Sequence, residues 1–190
     1  MHTEVILVRH AASVPPTADG PGQLTRPLTR DGLRQARAWV DTLIAPRPAA
    51  VWSSPYRRAI QTVRPVANAL GLPVRTRWDL REWDDGLPYT DDWISHYAES
   101  WADPARARPD GESLDKLTAR ASAALRELAG AHRGQVVLVA GHGTFIARAL
   151  SGFGAPVDWA FWQRMSMPAV YRLRFAEPAA DPAVTGLETE

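Results

Sequence analysis

An α/β sandwich is the fold this chain predicts, and three observations carry the prediction. Short runs of β-branched and aliphatic residues, apolar at every position, read as strands of a sheet covered on both faces. Amphipathic stretches at helical spacing alternate with them, as strand–helix layering requires. Two of the runs, Val5-Ile6-Leu7-Val8 and Val136-Val137-Leu138-Val139, each lead into a histidine, His10 and His142. Ligands of open α/β sheets bind at the carboxyl ends of the strands. Two of only five histidines placed there point to one shared site.

The elements follow in order. After the first strand, residues 11–27 form a loop rich in Pro, Gly and Thr. Thr29 then reads as an N-cap and Asp31 suits the positive end of a helix dipole. Leu33, Ala36, Val40, Leu43 and Ile44 recur at helical spacing up to Pro46, predicting one helix. Residues 49–53 read as a second strand. Ser54-Pro55 signals the next helix start, a capping hydroxyl followed by proline at the first helical position. Pro65 is expected to kink or restart that helix and Gly71 to end it. Residues 73–77 suggest a short strand. Residues 79–113, irregular and rich in tryptophan, are expected to form a partly helical excursion over the site. An alanine-rich helix over 114–129 precedes the second histidine strand. Helices over 145–150 and 157–165 and a final strand over 169–175 follow. Residues 1–176 are thus one domain, and the tail over 177–190, rich in Pro, Ala, Thr and Glu, is expected to be disordered.

Composition narrows the function. A formal net charge of +1 with no basic stripe argues against nucleic acid as a partner. The absence of cysteine excludes disulfides, thiolate nucleophiles and iron–sulfur clusters. No apolar run reaches membrane-spanning length, and the first is too short for a signal peptide, so a cytoplasmic location is expected. Lys116 is the only lysine, so a phosphate-binding cation is expected to be arginine, which grips phosphate bidentately.

The chemistry starts at Arg9-His10. An imidazole there can be nucleophile, base or metal ligand. The adjacent guanidinium repels a divalent cation and invites an oxyanion, and no H-x-H or H-x-x-x-H pair exists, so no metal is expected. Arg57 and Arg58 fall in the first turn of a helix, where the dipole disfavours cations, so one of them is expected to bind an anion. Gly141 and Gly143 flank His142 and permit close approach of backbone, leaving His142 to donate to a phosphoryl oxygen. The set suits a tetrahedral dianion, as phosphoryl transfer demands. A leaving alkoxide also needs a proton. Glu82 is the first candidate, beside an aromatic ring and partly desolvated, although spacing alone does not rank it above Asp84 and Asp85. Trp83, Tyr89, Trp93, Tyr97 and Trp101 are expected mostly to pack the excursion onto the sheet. Arg81, Arg106 and Arg108 are candidates for meeting a second anionic group.

Arg9-His10-Ala11-Ala12-Ser13 resembles the Arg-His-Gly motif of the histidine phosphatase (phosphoglycerate mutase-like) superfamily. Gly22-Gln23-Leu24 with Pro27-Leu28-Thr29, Ser53 to Thr62, Leu80 to Gly86, Pro109 to Ser113 and Gly141-His142-Gly143 agree with that family in order. The resemblance implies a three-layer α/β/α sandwich around a mostly parallel mixed sheet, with no metal or other cofactor. It implies a phosphohistidine at His10, phosphoryl oxygens held by Arg9, Arg58 and His142, and Glu82 as proton donor. Ser13, Gln23, Arg81 and Gly143 join the expected substrate contacts. Pro15-Pro16 stand where many members of the family carry Asn, and Asp85 and Thr144 where its mutases usually carry Tyr and Asn; these departures favour a phosphatase. The expected activity is a metal-independent phosphomonoesterase acting on a small phosphorylated metabolite, as monomer or dimer. The alternatives are a cofactor-dependent phosphoglycerate mutase-type phosphotransferase and a catalytically silent phospho-ligand-binding protein.

Overall fold

The computed structural model describes residues 2–188 and contains one six-stranded sheet. Its strands are β1 (Thr3–Arg9), β2 (Ala50–Ser53), β3 (Val74–Thr76), β4 (Val136–Gly141), β5 (Ala169–Phe175) and β6 (Ala183–Thr185), in spatial order β3-β2-β4-β1-β5-β6. β3, β2, β4 and β1 run parallel, whereas β5 is antiparallel to both β1 and β6. The helices are α1 (Arg30–Ala38), α2 (Val40–Ile44), α3 (Arg57–Leu70), α4 (Trp93–Ala102), α5 (Leu114–Ala131), α6 (Gly143–Gly152) and α7 (Trp159–Arg164).

Alternation along the central strands divides the core between two helical layers. Ile6, Val8, Leu138 and Ala140 face Leu43 of α2 and Ala59, Val63 and Val66 of α3. Val5, Leu7, Val137 and Val139 face Leu117, Leu125 and Leu128 of α5 and Phe145, Ile146 and Leu150 of α6. Burial of strands on both faces explains why their sequence is apolar at consecutive positions. No described helix is long and apolar enough to cross a membrane.

Thr29 caps α1, accepting the Gly32 N–H at 3.0 Å, and Gly71 ends α3 with φ +66°. Four boundaries depart from the sequence reading. The single helix expected up to Ile44 breaks at Trp39 (φ −92°, ψ 0°), whose ring packs beside α2 and α3. The third helix starts at Arg57, not at Ser54-Pro55, because the Ser54 hydroxyl is spent on a local turn, accepting the Tyr56 N–H at 3.2 Å. Pro65 lies inside α3 without ending it: its missing donor costs one hydrogen bond, while Val63, Val66 and Ala67 bury the face around it. The tail is not wholly disordered, since residues 183–185 form β6, which covers the outer edge of β5. Val184 and Leu187 pack on the core, and Arg126 reaches the carbonyls of Ala179 and Ala180 and the Asp181 carboxylate. The expectation of disorder at Thr189 and Glu190 lies outside the described residues.

Candidate active site

β1 and β4 are neighbours, with Arg9 paired to Gly141, so His10 and His142 emerge together at their carboxyl ends. Their rings meet edge-on with centroids 5.3 Å apart. The neighbouring β2 carries Ser54 to the same edge, because Ser53 is in register with Ala140.

His10 is 6% exposed. Its Nδ1 lies 2.8 Å from the Ala11 carbonyl oxygen, which can only accept. Nδ1 therefore carries the proton and Nε2 the lone pair. Arg58 Nε donates to that lone pair at 3.2 Å. Burial, followed by the positive charge of Arg58, pushes the His10 pKa down to about 3. The imidazole is thus neutral at physiological pH, with its lone pair on Nε2.

Arg58 is 2% exposed, while Arg57 beside it is exposed, so burial separates the pair. One Arg58 terminal nitrogen donates to the Gln23 carbonyl at 2.7 Å, and burial and the nearby Arg26 lower its pKa to about 10. Arg9 donates to the Met165 and Ser166 carbonyls, and its Nε is buried without a protein partner. The Arg9 guanidinium lies flat on Gly143: a Cβ there would meet Arg9 Nε at 3.1 Å and Cζ at 3.2 Å. That close approach is what the glycine permits.

His142 is fully buried, with Nε2 2.8 Å from Ser54 Oγ. Ser54 Oγ accepts from the Tyr56 amide and keeps both its own proton and a second lone pair, so its bond with His142 Nε2 can run in either direction. His142 Nδ1 is buried with no partner among the described residues, and it carries the ring proton in the tautomer whose Nε2 accepts from Ser54. Burial first, then Arg58, holds this imidazole well below its ordinary pKa.

Glu82 is half-buried beside Trp83, and its carboxylate is bound by backbone amides. Its Oε1 accepts the N–H of Trp83 (2.9 Å) and Phe145 (2.8 Å), and Oε2 that of Thr144 (3.1 Å). The carboxylate therefore closes the first turn of α6, where orphan amides need acceptors. Its loop is held in turn by Arg120, which donates to the Asp79 and Arg81 carbonyls (2.7 and 3.1 Å) and grips Glu112 bidentately (2.8 and 2.7 Å). Asp84 and Asp85 take other roles. The Asp84 carbonyl accepts from Glu112, and Asp85 accepts from Leu87 and is pushed up in pKa by burial.

Arg26 is the residue that the sequence reading missed. It comes from a loop with no periodicity, and no motif flags it. One of its terminal nitrogens donates to Ser13 Oγ (3.2 Å) and the Val14 carbonyl (2.9 Å), and the other to Gln23 Oε1 (3.0 Å). The side chains of Ser13 and Gln23 are thus engaged by Arg26. Ser54, read as a cap alone, is the second omission. Arg81 lies at the periphery, its guanidinium 5.5 Å from the exposed Trp78 ring. Arg108 is not free for a ligand, since it donates to Ser100 Oγ and the His96 carbonyl inside the excursion. Trp83, Trp93, Tyr97 and Trp101 pack with Trp159 and Trp162, and Tyr89 is 49% exposed.

Arg9, Arg26 and Arg58 have no carboxylate at ion-pair distance among the described residues, whereas Arg120 and Arg148 do. No three metal-binding side chains are grouped among the described residues. Arg9 Nε, Arg26 Nε and His142 Nδ1 are buried nitrogens without partners among the described residues, where native proteins leave few. A neutral histidine amid guanidinium groups without carboxylate partners, at the carboxyl edge of a mixed α/β sheet, defines the class of protein: an α/β protein with an anion-binding pocket around an imidazole.

Comparison with known proteins places it further. Residues 5–181 match the histidine phosphatase superfamily (branch 1), and the chain belongs to that family. A metal-independent phosphoserine phosphatase of Arabidopsis thaliana is 33% identical over 154 residues, covering 74% of this chain but only 64% of the plant protein's length. The mycobacterial glucosyl-3-phosphoglycerate phosphatase shares the fold at TM-score 0.79 and 22% identity, over 98% of both chains. A phosphoserine phosphatase mutant from Entamoeba histolytica does so at TM-score 0.75 and 18% identity, over 96% of this chain and 95% of the other.

Proposed function

We propose that this protein is a metal-independent phosphomonoesterase acting on a small phosphorylated metabolite through a phosphohistidine. The observation that carries this reading is the His10 Nε2 lone pair, set by the Nδ1–H bond to Ala11 and surrounded by guanidinium groups without carboxylate partners. In the first step Nε2 attacks phosphorus and the bond from phosphorus to the leaving oxygen breaks. Glu82 passes a proton to that oxygen. Oε2 accepts one amide and Oε1 two, so Oε2 is the oxygen with room for the proton. In the second step water attacks phosphorus, its proton passes to Glu82, and the P–N bond breaks to return neutral His10. Arg9, Arg58 and His142 Nδ1 supply donors to the three non-bridging oxygens, where charge is spread in the transition state.

The names of the relatives direct the assay to phosphoserine and phosphoglycerate esters. Phosphate release is measured across these, sugar phosphates, nucleotides and an aryl phosphate, for the wild-type protein and His10→Ala, with and without chelator. Release by wild type in both conditions, with a loss of at least a thousandfold in His10→Ala, is the expected result. Full activity in His10→Ala, or abolition by chelator, overturns the proposal.

A further inference from the structure

We infer that Arg26 receives a carboxylate on the leaving group, so that this enzyme prefers phosphomonoesters whose alcohol carries one. The inference rests on the phosphatase reading and adds a subsite to it. Gln23 positions both guanidinium groups involved: its carbonyl holds Arg58, and its side-chain oxygen holds Arg26. Ser13 Oγ and the Val14 carbonyl fix the opposite edge of Arg26. The group is therefore pinned next to the phosphoryl site by uncharged acceptors alone, and its Nε stays buried without a partner. Its charge acts on His10, on His142 and, more than any other charge, on Arg58. It also interacts with Tyr97 and Glu82. Gln23 sets Arg26 beside Arg58 at the rim of the phosphoryl site, where a group attached to the phosphate can reach it.

Charge balance then selects the ligand. Arg9 and Arg58 neutralise a phosphoryl dianion, and Glu82 is uncharged when it donates its proton. Arg26 is left as one uncompensated cation in a partly buried site, where an unpaired charge is costly. A single carboxylate on the leaving group cancels it. A neutral alcohol leaves it unpaired, and a second phosphate overshoots it.

Two matched pairs of substrates test this. 3-Phosphoglycerate is compared with glycerol 3-phosphate, and phosphoserine with phosphoethanolamine, each pair differing by the carboxylate. In the wild-type protein kcat/KM is expected to favour the carboxylated member. In Arg26→Gln the ratio within at least one pair falls tenfold or more, and Arg26→Lys, which keeps the charge, restores part of it. A parallel loss on both members of each pair assigns Arg26 to phosphoryl binding or folding and overturns the inference. So does a wild-type protein that hydrolyses phosphomonoesters without discriminating within either pair. Wild type inactive on all four and on an aryl phosphate fails differently, removing the phosphatase reading itself.

Discussion

The chemistry of this site depends on where single protons sit. His10 keeps its proton on Nδ1 because the Ala11 carbonyl accepts it, and burial with Arg58 keeps the ring neutral. Titration by NMR should therefore show neither His10 nor His142 protonating between pH 5 and 8. A midpoint near 6.5 for His10 would contradict the arrangement. The same shift predicts how stability depends on pH. Below about pH 6.5 the unfolded chain takes up protons on these imidazoles that the folded protein refuses. Stability contributed by neutral His10 is thus fully present above that pH. It declines by roughly 1 kcal/mol per pH unit as pH falls toward the folded value of about 3. At this scale the sequence was partly legible. His10, Arg9 and His142 stand at strand ends that pattern alone can find. The choice of Arg58 over Arg57 needed the family motif, because both fall in one turn and only burial distinguishes them. Arg26 was illegible, since its position depends on Ser13 and Gln23 folding back across a loop without periodicity.

Among the elements, the start of α6 has the most consequences for function. His142 precedes it, Gly143 begins it, and Glu82 accepts the Thr144 and Phe145 amides. One helix end thereby fixes His142 and Glu82, the proposed phosphoryl clamp and proton donor, relative to each other. Glycine in a helix costs about 1 kcal/mol relative to alanine, so its presence at 143 needs a packing reason, and the Arg9 guanidinium provides it. Gly143→Ala should leave thermal stability nearly unchanged, because a flexible guanidinium can move away from the new methyl. It should lower kcat/KM ten- to a hundredfold, because that movement takes Arg9 off the phosphoryl oxygens. Activity within twofold of wild type would show that the close approach has no functional weight. The environment of Glu82 was not legible in advance. An acidic residue beside Trp83 suggested a partly desolvated carboxyl, but the amide donors 62 and 63 residues downstream cannot be read from local pattern. Arg120 likewise reads as the polar face of an amphipathic helix, and only the fold shows it gripping Glu112 and the Asp79 and Arg81 carbonyls just before Glu82.

Across the whole molecule, the order β3-β2-β4-β1-β5-β6 converts distant segments into one site. Alternation of strands and helices announces a layered sheet, yet no local pattern states that β4 inserts between β2 and β1. That insertion brings Ser54, His142 and His10 onto adjacent strand ends. The same topology separates stability from catalysis at the far edge. β6 pairs with residues 172–174 of β5, toward the end of that strand opposite Ala169, whose partner is Arg9. Its composition suggested disorder because three strand residues amid Pro, Ala and Thr carry no periodic signal, and only the exposed edge of β5 gives them a partner. Val184 and Leu187 contribute apolar burial there, worth about 2–3 kcal/mol together. Removing residues 178–190 should therefore lower Tm by roughly 5–10 °C, while kcat/KM at a temperature well below the transition stays within about threefold. A variant that keeps its Tm would show that β6 adds nothing to the edge. One that keeps its fold but loses activity would show that the tail reaches the site, against the strand register.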